Sequence, residues 1–372
     1  MTLKEGLPRV RVAMVGLRAP WGPEGGIERS VAELAPRLVE RGIDVTVFCR
    51  RRYNARGEGV FEGVRLVDHG TIYTKHLEAI VHTAIAAPLA ALGADLVHFH
   101  ATGPAMLSWM PKALGTRSVV TVHGLDWQRG KWGAGARLAL KAGEWCAANV
   151  PDRVITVAEH LRQHFHERYG VEALCIPNGV GVVVRRPLED ADVEGLSPRG
   201  YYLFLGRLVP EKGVETLIDA AQQGSMPLVI AGSAGTDTAY EARLRGRASS
   251  LVRFVGPKFE AARDSLLSNA RALVLASTVE GLPITPLEAM AAGTPVLLSD
   301  IAPHREILAG VDAGSLVASE AWAGTLRSFA AREAAEISRM GERGETHVRA
   351  AFSWDVAADR TAACYREVMA LV

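Results

Sequence analysis

The sequence contains little cysteine and almost no net charge. Its four cysteines, Cys49, Cys146, Cys175 and Cys364, include no Cys-x-x-Cys pair, so neither a zinc site nor a disulfide framework is indicated. We expect isolated, reduced thiols in or near the core. Lys and Arg number 42 against 41 Asp and Glu, and this balance gives no electrostatic basis for binding nucleic acid.

Long apolar segments are also missing. No apolar run approaches the ~18 residues that a membrane-spanning helix needs, and the longest, at 84–92, is followed by Gly93-Ala94-Asp95. Residues 1–8 lack the apolar core of a signal peptide. We therefore expect a soluble, cytoplasmic protein, and the sequence leaves peripheral contact with the inner face of the membrane open.

Two cofactor motifs are absent from the places where they would act. Gly25-Gly26 follows the first predicted strand, but it is not the Gly-x-Gly-x-x-Gly of a nicotinamide-binding fold, which weakens the case for an oxidoreductase. The one Asp-x-Asp, Asp190-Ala191-Asp192, falls in a segment with no strand or helix period, where we expect it to be solvated. The sequence thus predicts no divalent metal site and no bound cofactor.

What the chain does contain is an alternation of short apolar strands and amphipathic helices. Continuous apolar strands between helices indicate parallel sheets that are covered on both faces, and ligands of such sheets bind at the carboxyl ends of the strands. The predicted strands are 11–16, 45–49, 95–99, 118–122, 153–157, 201–205, 227–231, 251–255, 272–276 and 295–299. The predicted helices are one from Ile27 that Gly42 ends, and others at 135–149, 158–169, 214–223, 238–247, 260–269 and 285–292.

The predicted fold class is α/β, with two Rossmann-like, doubly wound domains facing a central cleft. Pro177-Asn178-Gly179 is turn chemistry. Residues 181–200 carry two prolines and no clear period, which is typical of a linker. We place the domains at 1–185 and 186–353, followed by a final helix at 354–372.

Two glutamates lie eight positions apart near the end of a predicted strand. Glu280 lies in the loop after that strand, and Glu288 lies about one turn into the helix that follows. Both carboxylates can face the carboxyl edge of the sheet, where each can accept hydrogen bonds from adjacent hydroxyls of a ribose or a hexose. The amides around Gly281 and Leu282 precede the helix and can face an anion or a hydroxyl. On spacing alone, a solvated loop glutamate and a glutamate favoured by the helix dipole fit equally well.

Glycine-bounded loops precede a helix in each half of the chain. Arg207 and Lys212 lie in the loop from Gly206 to Gly213, and two cations beside a helix N-terminus form an anion pocket suited to a diphosphate. Gly25-Gly26 precedes the first helix, where glycine permits positive φ and close approach of a ligand to the backbone. A plain strand–helix turn is the alternative for Gly25-Gly26.

Histidines end two predicted strands of the first half. His123 follows the strand at 118–122 and precedes Gly124, and Asp126 lies three residues further on. We expect His123 to face the cleft. His98 and His100 share one side of their strand, and we expect them to be structural or to lie on the acceptor side.

Five segments, in this order along the chain, resemble motifs of the retaining GT-B glycosyltransferases, in particular the family numbered four. They are 25–28, 121–126, 176–180, 206–213 and 280–296, and the match spans nearly the whole chain. The last resembles the family's Glu-x7-Glu segment. Many relatives have Gly-Phe-Gly after the first glutamate, whereas this chain has Gly281-Leu282-Pro283. Thr285-Pro286 is less usual and leaves the local amide geometry open.

The resemblance implies transfer of a sugar from a UDP- or GDP-sugar to an acceptor hydroxyl, with retention of configuration. In this family, a pair of cationic side chains takes the place of the divalent metal that other transferase folds use, and a phosphate oxygen of the donor accepts the proton of the acceptor hydroxyl. The resemblance also implies that the final helix returns to the N-terminal domain, which binds the acceptor. The acceptor can be a sugar, a lipid-linked saccharide or a small molecule. The implied donor contacts are Gly26, Arg207 and Lys212 (diphosphate), Gly256 (base), Glu288 (ribose), and Glu280, Gly281 and Leu282 (sugar). The implied catalytic residues are His123, Arg207, Lys212 and Glu280, and we assign Gly25, Asp126 and His100 to the acceptor.

Two other functions stay open. A nucleotide-sugar epimerase of the same fold would use the same donor without an acceptor. A non-catalytic subunit that binds a sugar nucleotide for a partner enzyme is the other, although the intact Arg207, Lys212, Glu280 and Glu288 argue against a decayed site.

Overall fold

The computed structural model describes residues 9–22, 25–74, 77–130, 132–235 and 237–370. Residues 1–8, for which the sequence predicted no signal segment, lie outside the described residues. The chain divides into two compact units: unit 1 is Met1–Gly179 with Trp354–Val372, and unit 2 is Val180–Ser353.

The division falls a few residues before the predicted boundary after residue 185. The reason is that the backbone from Val180 onward is already bonded within unit 2. The N–H of Val180 donates to the carbonyl of Phe352 at 2.9 Å. The segment 181–200 is therefore part of unit 2 rather than a free linker, and Ser265 and Asn269 donate to the carbonyls of Pro187 and Arg186 at 2.6 and 2.8 Å.

Unit 1 alternates strands and helices. Its strands are β1 (Val10–Val15), β2 (Ile43–Arg50), β3 (Gly59–Phe61), β4 (Val64–His69), β5 (Leu96–His100), β6 (Arg117–Val122), β7 (Arg153–Thr156) and β8 (Leu174–Cys175). Its first helices are α1 (Gly26–Glu40), α2 (Glu78–Gly93), α3 (Thr102–Ala105), α4 (Trp109–Ala113), α5 (Ala134–Asn149) and α6 (Glu159–Tyr169). Helix α1 ends at Glu40, and Gly42 has a φ of +79°, in agreement with the predicted glycine stop.

The described strands of unit 1 form one sheet in the order β3-β4-β2-β1-β5-β6-β7-β8. All neighbours are parallel except β3 and β4, which pair antiparallel. All five residues of β5 are buried, as expected for a strand with helices on both faces. The carboxyl ends of β1, β5 and β6 meet at one edge. His100 ends β5 at this edge, and the loops after β1 and β6 carry Gly25-Gly26 and His123 to it.

Unit 2 repeats the pattern. Its strands are β9 (Tyr202–Leu205), β10 (Leu228–Ala231), β11 (Val252–Phe254), β12 (Ala272–Leu275), β13 (Val296–Ser299) and β14 (Gly314–Val317). Its helices are α7 (Val214–Gly224), α8 (Thr238–Arg247), α9 (Glu260–Asn269), α10 (Ile284–Ala291), α11 (Ala302–Ile307), α12 (Trp322–Ala330) and α13 (Ala334–Ala351). The sheet of the described residues is parallel, in the order β11-β10-β9-β12-β13-β14. The predicted doubly wound α/β pattern is confirmed.

The last helix, α14 (Trp354–Ala370), packs against α1 of unit 1. Arg41, just after α1, contacts Asp359 at 2.7 Å and Asp355 at 3.2 Å. Tyr365 and Val368 face inward and are fully buried. The first described strand, β1, and the last described helix, α14, thus belong to the same unit.

Helix α2 is the most apolar of the long helices, with Glu78 as its one acidic or basic residue apart from the buried His82. It has 16 residues. Among the described residues, no helix combines the length and the apolar composition that a membrane crossing requires.

Candidate active site

At its start, the loop between β9 and α7 is held by two backbone hydrogen bonds and exposes a cation between them. The N–H of Gly206 donates to the carbonyl of Ala231 at 3.0 Å. Leu208 is fully buried, and its N–H donates to Ser233 at 2.9 Å. Arg207, between these anchors, is exposed. A single 3₁₀ turn, Pro210–Lys212, then leads into α7.

Gly213 allows this loop to lie against the end of the neighbouring strand β12. Its φ is +66°, and a Cβ there would overlap the carbonyl oxygen of Ala276, so only glycine fits without strain. The backbones of the two loops are joined directly, because the N–H of Thr278 donates to the carbonyl of Glu211 at 2.9 Å. The β9–α7 and β12–α10 loops are therefore packed side by side at the carboxyl edge of the sheet.

This packing brings Lys212 and Glu280 together. Lys212 Nζ lies 2.6 Å from Glu280 Oε1, and the two side chains are 20% and 10% exposed. Burial alone raises the pKa of Glu280, but the charge of Lys212 and its hydrogen bond outweigh burial and lower that pKa. Glu280 is therefore a carboxylate at neutral pH, and the pair keeps a cation and an anion at the point where a polar ligand would bind.

His304 is a neighbour of this pair that the sequence analysis missed. It lies on α11, after β13, and is fully buried. Its Nδ1 lies 2.8 Å from the carbonyl of Ser299, so this nitrogen carries the proton. Burial lowers the pKa of His304, although the nearby Glu280 opposes that shift. A neutral imidazole thus lies beside the ion pair, and its place after a strand was the only signal for it in the sequence.

Glu288 is held inside unit 2 by a residue of the preceding helix. It lies on α10 and is only 4% exposed. Arg263 Nη1, on α9, donates to Glu288 Oε1 at 3.3 Å. Arg263 also binds Asp264, with Nη2 at 2.6 Å from Oδ1. The sequence placed Glu288 correctly on the helix after Glu280 but gave no indication of the partnership with Arg263.

Glycines follow three adjacent strands of unit 2 and leave the backbone bare at the same edge. Gly206, Gly232 and Gly256 follow β9, β10 and β11, and all three have positive φ. The N–H of Gly232 donates to the carbonyl of Gly256 at 2.9 Å, and a Cβ on Gly232 would overlap the carbonyl of Gly206. The missing side chain at Gly232 lets two loops pack together, whereas Gly256 has open space where a side chain would be, so a ligand can approach its backbone. Gly232 was not singled out from the sequence.

The residues that follow Glu280 in the Glu-x7-Glu segment are largely shielded from solvent. Gly281 is half-buried and Leu282 is 5% exposed. Helix α10 begins at Ile284 after Pro283, so Pro286 lies in its first turn, where the missing N–H costs little.

In unit 1, three histidine rings stand in a row at the carboxyl edge of the sheet. His98 and His100 lie on one face of β5 with ring centroids 4.2 Å apart. His100 Nδ1 lies 3.1 Å from His123 Nε2. His98 and His100 are buried, whereas His123 is partly exposed. Burial lowers the pKa of His123 to about 4, so its imidazole is neutral at physiological pH.

The turn that carries Asp126 is fixed by a buried carboxylate, Glu144 on α5. Glu144 accepts hydrogen bonds from Trp127 Nε1, from His164 Nε2 at 2.8 Å and from the hydroxyl of Tyr169 at 2.8 Å. Burial raises the pKa of Glu144, but these hydrogen bonds outweigh it and lower the pKa. Asp126 itself contacts Arg129 at 3.2 Å.

Gly25 precedes α1 as predicted, whereas Gly26 is already the first residue of the helix. The two glycines have different surroundings. Gly25 has a φ of +111°, and a Cβ there would overlap the carboxylate of Glu28. That carboxylate folds back and accepts the N–H of Arg18 at 3.1 Å. Gly26 faces open space, so a ligand could approach the start of the helix there.

Two family models together match most of the chain. The family model Glycosyltransferase Family 4 matches residues 24–182, and the model Glycosyl transferases group 1 matches residues 189–347. The chain belongs to the family 4 GT-B glycosyltransferases. The family resemblance predicted from the five motifs is therefore confirmed.

Curated relatives of this glycosyltransferase cover most of its length. A D-inositol 3-phosphate glycosyltransferase of Gordonia bronchialis is 25% identical over 98% of this chain and 89% of the relative. A phosphatidyl-myo-inositol mannosyltransferase of Mycobacterium tuberculosis is 27% identical over 82% of each chain.

Solved structures show the same GT-B fold. Sucrose-phosphate synthase of Thermosynechococcus elongatus superimposes with a TM-score of 0.82 at 21% identity, over 98% of this glycosyltransferase and 100% of the synthase. The Anabaena protein HepE, solved with UDP and glucose, gives 0.79 at 16% identity over 96% and 100%. Identities this low show the fold alone.

Proposed function

We propose that this glycosyltransferase moves a hexose-type sugar from a UDP- or GDP-sugar to an acceptor hydroxyl, with retention of anomeric configuration and without a divalent metal. The observation that carries the proposal is the Lys212–Glu280 pair, which sets a cation and a hydroxyl-binding carboxylate 2.6 Å apart at the carboxyl edge of unit 2. UDP and glucose bound to HepE, and the mannosyl group in the name of a relative, support a nucleotide donor and a hexose.

The donor diphosphate is assigned to Lys212 and Arg207. A diphosphate carries more negative charge than one carboxylate, so it competes with Glu280 for the ammonium of Lys212. The exposed guanidinium of Arg207 adds a second cation whose planar donors match phosphate oxygens. Charge that builds on the leaving phosphate is stabilised by groups already in place, which lowers the barrier without a metal.

The remaining donor groups follow the edge of the sheet. Glu280, with the amides of Gly281 and Leu282, binds sugar hydroxyls, and Glu288 binds the ribose hydroxyls. The bare backbone at Gly256 suits the base. For Glu288 to reach a ribose, its hydrogen bond to Arg263 must be shared or exchanged.

The transfer step needs no protein nucleophile. The bond between the anomeric carbon and the β-phosphate oxygen breaks, the acceptor oxygen bonds to the same face of that carbon, and its proton passes to the released phosphate. His123 binds a sugar hydroxyl, Gly26 approaches the diphosphate, and Gly25 and Asp126 lie on the acceptor side. The acceptor is a sugar, a lipid-linked saccharide or a small molecule.

A two-stage experiment tests the proposal. A thermal-shift screen with UDP- and GDP-sugars identifies the donor, and NMR of the product then reports the anomeric configuration. An unchanged configuration supports the proposal, and inversion contradicts it. Isomerisation of the sugar nucleotide without an acceptor would instead establish the epimerase, and binding without any turnover would favour the non-catalytic subunit.

EDTA tests the proposed metal independence. Because the cations of Arg207 and Lys212 are covalently part of the chain, we expect activity to survive chelation. Loss of activity that magnesium or manganese restores would contradict this part of the proposal.

A further inference from the structure

The row of histidines in unit 1 consists of His98, His100 and His123. Only His123 is partly exposed, and the other two rings lie beneath it inside the unit. His98 and His100 are two residues apart along β5, so their side chains lie on the same face of the strand. The rings of His100 and His123 have centroids 5.4 Å apart and planes 27° apart, and their facing nitrogens are 3.1 Å apart. His100 is 1% exposed, so its ring supports His123 from inside the unit and offers almost no surface to an acceptor.

The rear of the row is fixed by hydrogen bonds. His98 Nδ1 lies 2.6 Å from the hydroxyl of Tyr365 on α14, and its Nε2 lies 2.7 Å from Thr121 Oγ1. Both nitrogens of His98 are therefore used. His98 cannot turn towards His100 without losing one of these bonds, and the ring of His100 is packed between two neighbours.

Protonation of the row follows from burial. Burial lowers the pKa of His98 to about 3 and that of His123 to about 4, and it lowers the pKa of His100 as well. All three rings are neutral at pH 7, and each carries one N–H. In the bond between His100 and His123, one nitrogen must donate and the other must accept.

The other nitrogen of His100 decides the direction of that bond. Within the described residues, no hydrogen-bond partner reaches the buried Nε2 of His100. A buried N–H without a partner is rarer in proteins than an under-used acceptor. The proton of His100 therefore belongs on Nδ1, which donates to Nε2 of His123, and His123 must carry its own proton on Nδ1.

We propose that His100 is a positioning residue that holds His123 as the Nδ1–H tautomer, so that His123 presents a hydrogen-bond donor to a hydroxyl of the substrate. The substrate contact of His123 rests on the proposed function, but the tautomer does not. This role replaces the acceptor contact that the sequence suggested for His100.

NMR of the histidine rings tests the tautomer without any substrate. The full chain is labelled with ¹⁵N-histidine, and long-range ¹H–¹⁵N correlations are recorded at pH 7.5. The ring of His123 is assigned by its loss in His123→Asn. We expect a protonated Nδ1 and an unprotonated Nε2 for His123. A proton on Nε2, or on both nitrogens, overturns the proposal whether or not the protein proves to be a transferase.

Three substitutions of His100 test its role in activity. An asparagine amide can occupy the place of Nδ1, whereas a glutamine amide reaches only the place of Nε2. We expect His100→Asn to keep kcat/KM within about threefold, and His100→Gln and His100→Phe to lower it about tenfold or more, as for loss of one hydrogen bond to a substrate-binding group. His82→Gln, which alters a buried histidine on α2, is the control for general loss of packing.

The variants also separate positioning from a merely structural role. In His100→Gln, the NMR signals of His123 should show a mixture of tautomers while the melting temperature stays near that of His100→Asn. Equal losses of activity in all three variants, with His123 still in the Nδ1–H form, would overturn the proposal. Equal, undiminished activity in all three would overturn it as well.

Discussion

Lys212 Nζ lies 2.6 Å from Glu280 Oε1, although the two residues are separated by 68 positions in the sequence. Each residue lies in a loop that follows one of two neighbouring strands, β9 and β12. Without a donor, the carboxylate holds the ammonium where the diphosphate is proposed to bind. Donor binding therefore exchanges one anion for another, which limits the cost of desolvating the cation.

Lys212→Ala should lower kcat by roughly a hundredfold or more, because one charge contact to the leaving phosphate is lost. Steady-state kinetics with the identified donor provide the measurement. Arg247→Ala is a matched control, since Arg247 contacts Asp219 at the same 2.6 Å but on the helical surface of unit 2. Near-normal turnover in Lys212→Ala, with the control also normal, would remove Lys212 from the mechanism.

Glu288→Ala should weaken binding of the nucleoside diphosphate by about tenfold, the usual effect of losing a charged hydrogen bond. Calorimetry with UDP and GDP measures this affinity directly. Glu215→Ala, which removes a half-buried carboxylate of α7 that contacts Arg243, should leave the affinity unchanged. If Glu288→Ala binds as tightly as the wild type, Glu288 serves only to hold Arg263.

Gly213→Ala should lower both the stability of unit 2 and its affinity for nucleotides. The added Cβ would overlap the carbonyl of Ala276 and push the two loops apart, and overpacking of this kind costs about 1–3 kcal/mol. Gly235→Ala separates this overlap from backbone strain, because Gly235 has a similar φ of +61° with open space around it. Equal urea midpoints and equal affinities for the two variants would show that the close approach at Gly213 is unimportant.

The stability of the protein should fall as the pH drops below 6.5, before most carboxylates titrate. Burial lowers the pKa of His82 and of His123 to about 4 and that of His98 to about 3, from an ordinary 6.5. Between those limits the unfolded chain binds protons that the folded chain does not, so the free energy of unfolding decreases as the pH falls.

Each such histidine contributes a slope of about 1.4 kcal/mol per pH unit well below pH 6.5. Urea unfolding at pH 7.5, 6.0 and 5.0 measures the slope. His82→Gln, which lacks one of these groups, should show a shallower slope than the wild type. A free energy of unfolding that stays constant from pH 7.5 to 5.0 would contradict the buried, neutral state of the row.

Much of the fold followed from local patterns. Apolar runs placed β9, β10 and β12 within a residue of their observed ends, and helical periodicity placed α8 and α9 at their observed bounds. These elements are set by burial and by signals at their ends, which act over a few residues. The short β3–β4 hairpin was missed because its first strand is largely exposed and has no buried alternation.

The candidate site was only half visible in the sequence. Lys212 and Glu280 could each be placed after a strand, but their contact depends on β9 and β12 being neighbours and on the fit of Gly213 against Ala276. His304 and Arg263 were not singled out, because a single ring or charged side chain on a helix is usually structural. The link from Tyr365 to His98 spans 267 positions and depends on how α14 packs, which no local pattern encodes.

A crystal structure of the protein with bound UDP or GDP is the decisive test of the proposed diphosphate site. We expect the phosphates to lie against the 206–213 loop, with an oxygen within hydrogen-bond distance of Lys212 Nζ and with Arg207 turned towards them. Phosphates bound elsewhere, with Lys212 still paired to Glu280, would contradict it.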